Sequence, residues 1–186
     1  MTDSFRDHFK AHLDAVQRST DALESATNAA ARALVASLKS GGKVLTFGNG
    51  GSSVEASHLA EELVGRFRKN RRPFPAISLS ADSGTVTCIA NDFGYETLFE
   101  RQVEAFARPG DVAVALTTSG KSENVIRALK AAKERGAVTI ALTGSSGMSG
   151  VAADHVLAVP SEDTALVQEV HLMIIHVLCL AVESID

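Results

Sequence analysis

The sequence predicts an α/β fold, a doubly wound sandwich on a parallel sheet with a helical extension at its N-terminus. Three observations carry that prediction. Five short β-branched or apolar runs follow one another after residue 42: "KVLTF", "PAISL", "DVAVALT", "VTIALT" and "HVLAVP". Helical segments lie between them, around 53–66, 95–107 and 122–135, and continuous apolar strands separated by helices mark a sheet covered on both faces. Ahead of the first run, apolar residues recur at helical spacing.

Residues from about 4 to 39 read as two helices. Phe5, Phe9, Leu13 and Val16 line the first, and Leu23, Ala30, Leu34 and Leu38 the second. Ser19-Thr20-Asp21 offers an N-cap between them, and Gly41-Gly42 stops the second. The organisation is therefore a helical extension over residues 1–40 and an α/β domain over 41–186, in a single structural unit. The last helix, "ALVQEVHLMIIHVLCLAV", is nearly all apolar and is interrupted by Gln168, His171 and His176. Its charge-free run, Val170 to Val182, is too short and too polar to cross a bilayer. Because the helix is apolar on almost every face, it must be covered on all sides, and a partner chain suits Met173 and Ile174.

The chain has 186 residues, 45% of them apolar and 22% charged, with a net charge of −4. That is an ordinary soluble composition and enough chain for one domain with a real core. The N-terminus carries charges throughout and no signal-peptide core, so a cytoplasmic protein is expected. Cys88 and Cys179 lie far apart in apolar surroundings and read as buried free thiols. The one dense basic run, "RFRKNRR", reads as a solvated loop, and neither nucleic acid nor a membrane is expected as a partner.

Two small-residue loops sit where such sheets bind ligands, at the carboxyl ends of strands. "GNGGSS" lacks the third glycine of a dinucleotide loop, where Ser53 stands, and the Gly-Lys-Ser/Thr of a P-loop. Alone it reads equally as a phosphate or hydroxyl binder and as a tight turn with a serine cap. "TTSGKSEN" shifts the balance. Thr117, Thr118, Ser119 and Ser122 crowd the start of a helix together with Lys121, and hydroxyls with exposed amides can hold a phosphate. His58 and Glu62, four apart, share a helix face and can either reach one divalent metal or form an ion pair. Glu61 points elsewhere, towards solvent. Gln168 and His176, eight apart, differ by about 80° in facing.

The segments "FGNGGSSVEASHLAEELVGRF", "IANDFGYETLF", "TTSGKSENVIRALKAAKERGA" and "VQEVHLMIIH" together resemble the phosphoheptose isomerases of the sugar-isomerase (SIS) fold. The likeness covers nearly the whole chain. It implies a five-stranded, flavodoxin-like sheet and conversion of sedoheptulose 7-phosphate into D-glycero-D-manno-heptose 7-phosphate, the first step towards the heptose of lipopolysaccharide. It further implies a zinc ion in each subunit of a cytoplasmic homotetramer, the N-terminal helices serving assembly. Zinc falls on His58, Glu62, Gln168 and His176. Sugar contacts fall on Asn49, Gly50, Gly51, Asn91 and Asp92, and phosphate or sugar contacts on Thr117, Thr118, Ser119 and Ser122. Glu62 and Gln168 also touch substrate. Thr117 stands where the family often has serine, and "PSEDTALVQE" departs from some members.

Aldose–ketose isomerisation through an enediol needs a base, an acid and stabilisation of the enediolate. Glu62 is the candidate base and His176 the candidate acid. A related branch of the fold binds a bacterial replication initiator and lacks the acid matching Glu62 and the histidine matching His176. Both are present here, which favours an enzyme.

Overall fold

The computed structural model describes residues 4–185. Its five strands are β1 (Val44–Gly48), β2 (Ala76–Ser78), β3 (Val112–Thr117), β4 (Val138–Thr143) and β5 (His155–Ala158). They pair in parallel in the order β2-β1-β3-β4-β5. β1 and β3 are buried along their whole length and β4 along nearly all of it, which is why they read as unbroken apolar runs. β2 and β5 form the edges and are only partly covered.

Six α-helices flank the sheet: α1 (Ser4–Lys39), α2 (Gly51–Val64), α3 (Ser83–Phe93), α4 (Leu98–Phe106), α5 (Glu123–Glu134) and α6 (Thr164–Val182). α1, α2 and α6 enclose one core with Val44, Val112, Leu116 and Ile140. α3, α4 and α5 enclose the other with Leu45, Phe47, Ala113 and Ala141. Residues of opposite parity along each strand thus serve opposite layers, as a pleated strand requires. Asp111 pins the far end of the sheet. Its carboxylate accepts from Lys43 N at 2.9 Å and Arg108 N at 2.7 Å, and it pairs with the Lys43 ammonium.

Four expectations change. The N-terminal segment is one helix of 36 residues rather than two. Ser19 and Thr20 do not cap; their hydroxyls donate back to the carbonyls of Ala15 and Val16, at 2.7 and 3.0 Å, so the helix runs through them. α3 appears where no helix was expected. Only Ile89 of it is buried, so it carries almost no apolar periodicity, and its signal was the Asp82 cap, which accepts from Gly84 N and Thr85 N. Cys88 lies on that helix and is exposed, whereas Cys179 is buried. α6 starts at Thr164, and the whole helix is long and apolar enough to span a bilayer by composition, yet half of it is packed inside the domain.

Because α2 leaves β1 onto one face of the sheet and α5 leaves β3 onto the other, a crevice opens between the ends of these neighbouring strands. The loops 48–53 and 117–122 are its two walls.

Candidate active site

α2 and α6 pack against each other and keep step along their length. Gly51 lies under the Gln168 amide, Glu55 faces His171, and His58 meets His176. Just past α2, the amides of Arg68 and Lys69 donate to Glu183 Oε1 just past α6, at 2.6 and 2.7 Å. Residue numbers rise together on both helices, so they run in the same direction, as helices leaving the carboxyl ends of parallel strands do. Gly51 is glycine for a local reason: a Cβ there would strike the Gln168 amide.

His58, Glu62 and His176 offer one ligand atom each, all within 4.8 Å of one another. His58 Nε2 stands 3.1 Å from Glu62 Oε1, near the ~3.3 Å between neighbouring ligands of a tetrahedral zinc ion. All three side chains are half-buried. The His176 ring meets His58 edge-on at 5.5 Å and stacks on Phe67 at 5.2 Å. Two imidazoles and a carboxylate suit zinc, and no fourth His, Cys, Asp or Glu joins them among the described residues. Gln168 is on the same helix as His176 with its amide over Gly51. Glu61 is exposed, as its facing predicts.

The basic run is not merely a solvated loop. Arg71 reaches back under α2, where Nη2 donates to the Glu62 carbonyl at 2.7 Å and Nη1 to the Leu63 carbonyl at 3.0 Å. These are last-turn carbonyls with no intrahelical donor, so the guanidinium caps the helix that carries Glu62. Cys179 does not join the triad, and burial, with the nearby Glu62 charge, pushes its thiol up to about 12.

Beside the triad lies a buried acid–imidazole pair that sequence reasoning did not assign. His171 is fully buried, and its Nε2 lies 3.2 Å from the Thr143 carbonyl, so the ring donates from that nitrogen. Its Nδ1 is 4.0 Å from Glu55 Oε2, beyond hydrogen-bond reach, and neither atom has a partner. Burial pushes the Glu55 carboxyl up to about 7 and the His171 imidazole down to about 4. Another unforeseen contact ties the start of α1 to α6. His8 and His12, four apart, each bond one oxygen of Glu169, at 2.7 and 2.6 Å.

The two loops differ from other helix entries in one respect. Asp82 and Asp163 cap α3 and α6 with side-chain bonds, and α4 continues from a 3-10 turn at Tyr95–Thr97. α2 and α5, which open from the crevice loops, have no side-chain cap. Gly50 at φ 56° starts α2, and Ser122 starts α5 with its hydroxyl unused as a cap. The first amides of both helices therefore stay available to an anion. Thr117 Oγ1 and Ser119 Oγ shape the second loop by accepting from Gly120 N and Lys121 N, both at 3.2 Å. Gly120 sits at φ 65°, and a Cβ would collide with the Gly147 carbonyl, so the loop after β4 braces it. Thr118 is half-buried at the same turn. Asn91 and Asp92 stand exposed on α3, where Asn91 Nδ2 donates to Asp92 Oδ1 at 2.7 Å.

The SIS domain family matches residues 5–144, most of the chain. A phosphoheptose isomerase of Aquifex aeolicus is 55% identical over 152 residues, which are 81% of this chain and 80% of that one. The chain belongs to the phosphoheptose isomerase family. Among solved structures, a phosphoheptose isomerase from Francisella tularensis superposes with a TM-score of 0.94 at 38% identity, covering 99% of this chain and 100% of that one. One from Neisseria gonorrhoeae gives 0.89 at 37% identity, covering 97% of each. The protein is accordingly a phosphosugar isomerase, and its five-stranded parallel sheet is the SIS fold.

The Glu55–His171 pair makes a stability prediction. Glu55 titrates at about 7 in the fold against 4.5 ordinarily, so its contribution is complete below 4.5 and is lost as pH rises through 7. His171 runs the other way: its contribution is complete above 6.5 and is lost as pH falls towards 4. Glu55→Gln should therefore leave the melting temperature near pH 5 little changed and raise it at pH 8, by up to about 3 kcal/mol of stability. Parallel melting curves of variant and parent across that range would refute the assignment.

Proposed function

We propose that this phosphoheptose isomerase family member converts sedoheptulose 7-phosphate into D-glycero-D-manno-heptose 7-phosphate through an enediol. The product would supply ADP- or GDP-heptose synthesis, including lipopolysaccharide precursors. The observation that carries the reading is the His58–Glu62–His176 cluster on the seam of α2 and α6, together with a crevice at which α2 and α5 both start without a side-chain cap. A phosphosugar needs both: donors for its phosphate, and acid–base groups at the other end.

In this reading His58, Glu62 and His176 hold zinc, with Gln168 as the remaining ligand. Zinc bound by these donors supplies Lewis acidity for the sugar carbonyl. Glu62 Oε1 faces His58, which leaves the second carboxylate oxygen for the base. That oxygen takes the proton from C1 of the ketose, and the electron pair forms the C1–C2 double bond as the C2 oxygen takes a proton from His176. The C1 oxygen then returns a proton to His176 while C2 recovers one from Glu62, giving the aldose. Ser119, Ser122, Thr117 and Thr118, with the first amides of α5, receive the phosphate. Asn49, Gly50 and Gly51 receive the sugar from the opposite wall, and Asn91 and Asp92 complete the contacts.

We also assign the protein to the cytoplasm as a homotetramer with α1 in its interfaces. Phe5, Phe9 and Leu13 on α1 and Met173, Val177 and Leu180 on α6 stay exposed, an apolar surface that a second copy would cover.

Incubation with sedoheptulose 7-phosphate, followed by NMR, should show the aldose accumulate; no turnover would refute the assignment. Glu62→Gln keeps shape and one ligand oxygen but removes the proton acceptor, so turnover should fall about a hundredfold to ten-thousandfold. Glu61→Gln, on the exposed face, should change little. Ser119→Ala and Ser122→Ala should each weaken substrate binding by about 1–3 kcal/mol. Equal affinity in both variants and the parent would exclude this cradle. Met173→Glu should shift the mass in light scattering towards smaller species and lower turnover with it. A fully active monomer would remove assembly from the mechanism.

A further inference from the structure

A pair of amides ties the two walls of the crevice together. Asn49 Nδ2 donates to Asn124 Oδ1, and Asn124 Nδ2 donates back to Asn49 Oδ1, both at 2.9 Å. Tyr95 Oη joins them, donating to the same Asn49 Oδ1 at 2.8 Å. Asn49 belongs to the loop after β1, Asn124 to the first turn of α5, and Tyr95 to the 3-10 turn after α3. Three segments distant in sequence therefore meet on one carboxamide.

The arrangement fixes the chemistry that Asn49 can offer. Turning either amide alone would set two donors and two acceptors against each other, so the pair holds its orientation. Both lone pairs of Asn49 Oδ1 are filled, by Asn124 and by Tyr95. One of the two Nδ2 hydrogens is engaged by Asn124, which leaves a single N–H and no acceptor.

We propose that Asn124 and Tyr95 are positioning residues that lock Asn49 as a hydrogen-bond donor to a sugar oxygen and hold the sugar wall at a fixed distance from the phosphate wall. The inference rests on the isomerase reading above, in which Asn49 meets the sugar and residues 117–122 the phosphate. A phosphosugar has its charged group at one end and its reacting carbons at the other. A rigid strut between the two walls then acts as a ruler, and placement errors of an ångström cost large factors in rate. Asn124 is buried, so the strut is shielded from competing water, while the Tyr95 ring stands half in solvent.

The test compares two ligands. Asn124→Asp keeps the shape but puts an oxygen against Asn49 Oδ1, and Tyr95→Phe deletes only the exposed hydroxyl. With sedoheptulose 7-phosphate as substrate, kcat/KM should fall about tenfold or more for Asn124→Asp and about threefold for Tyr95→Phe. Inhibition by inorganic phosphate, which needs only one wall, should be unchanged in Tyr95→Phe, which adds no charge to the first turn of α5. In a double-mutant cycle, Asn49→Ala combined with either change should be no worse than Asn49→Ala alone. Should Asn124→Asp fail to fold, Tyr95→Phe carries the same cycle. Additive losses, or phosphate inhibition weakening in step with kcat/KM in Tyr95→Phe, would overturn the proposal. A wild-type protein without turnover would remove the isomerase reading, and this inference with it. Normal turnover with unaffected variants would remove the inference alone.

Discussion

The contact between α2 and α6 has to satisfy packing and chemistry at the same positions. Both helices leave parallel strands on one face of the sheet, so they run the same way, and each residue of one has a fixed neighbour on the other. Leu59, Leu63, Ile175 and Leu178 supply the burial that holds the pair down. His58, Glu62 and His176 occupy the half-buried seam beside that apolar contact. A slip of one helix by a residue would rotate these groups by about 100° and scatter them. The ends of the seam are fixed accordingly. Gly51 admits the Gln168 side chain at one end, and Glu183 gathers the amides of Arg68 and Lys69 at the other. Burial pushes the Glu183 carboxyl up, but those amides and the neighbouring Arg71 and Lys69 charges hold it below the ordinary range.

The fold was legible because the interior strands are buried on both faces and cannot hide their composition. "DVAVALT" and "VTIALT" became β3 and β4 almost residue for residue. The His58–Glu62 spacing was legible for a similar reason, since a helix converts four residues into one face. That His176 would join them was not readable from facing angles, because it depends on how α6 lies on α2. The resemblance to a family supplied it. α3 was missed because a helix with one buried residue has no periodicity to read. The single α1 was misread as two because serine and threonine suit both a cap and a back-bonded helix interior, and only the surroundings choose. Arg71 shows the same limit: its charge suggested solvent, whereas the carbonyls of Glu62 and Leu63 lay within its reach.

The length of α1 bears on the order in which the molecule can be made. At about 1.5 Å per residue its 36 residues extend some ~54 Å, well beyond the ~32 Å twice the radius of gyration expected for a chain of this size. Its second half is settled by the domain, through Leu23, Ala30, Leu34 and Leu38. The first half is held by Ala15, by Arg18 on the Pro160 carbonyl and by the two histidines on Glu169, while the stacked Phe5 and Phe9 face outward. The polar partners among these, Pro160 and Glu169, lie late in the sequence. Residues 8–18 thus find their places only after the later-made residues around Pro160 and Glu169 have joined the domain.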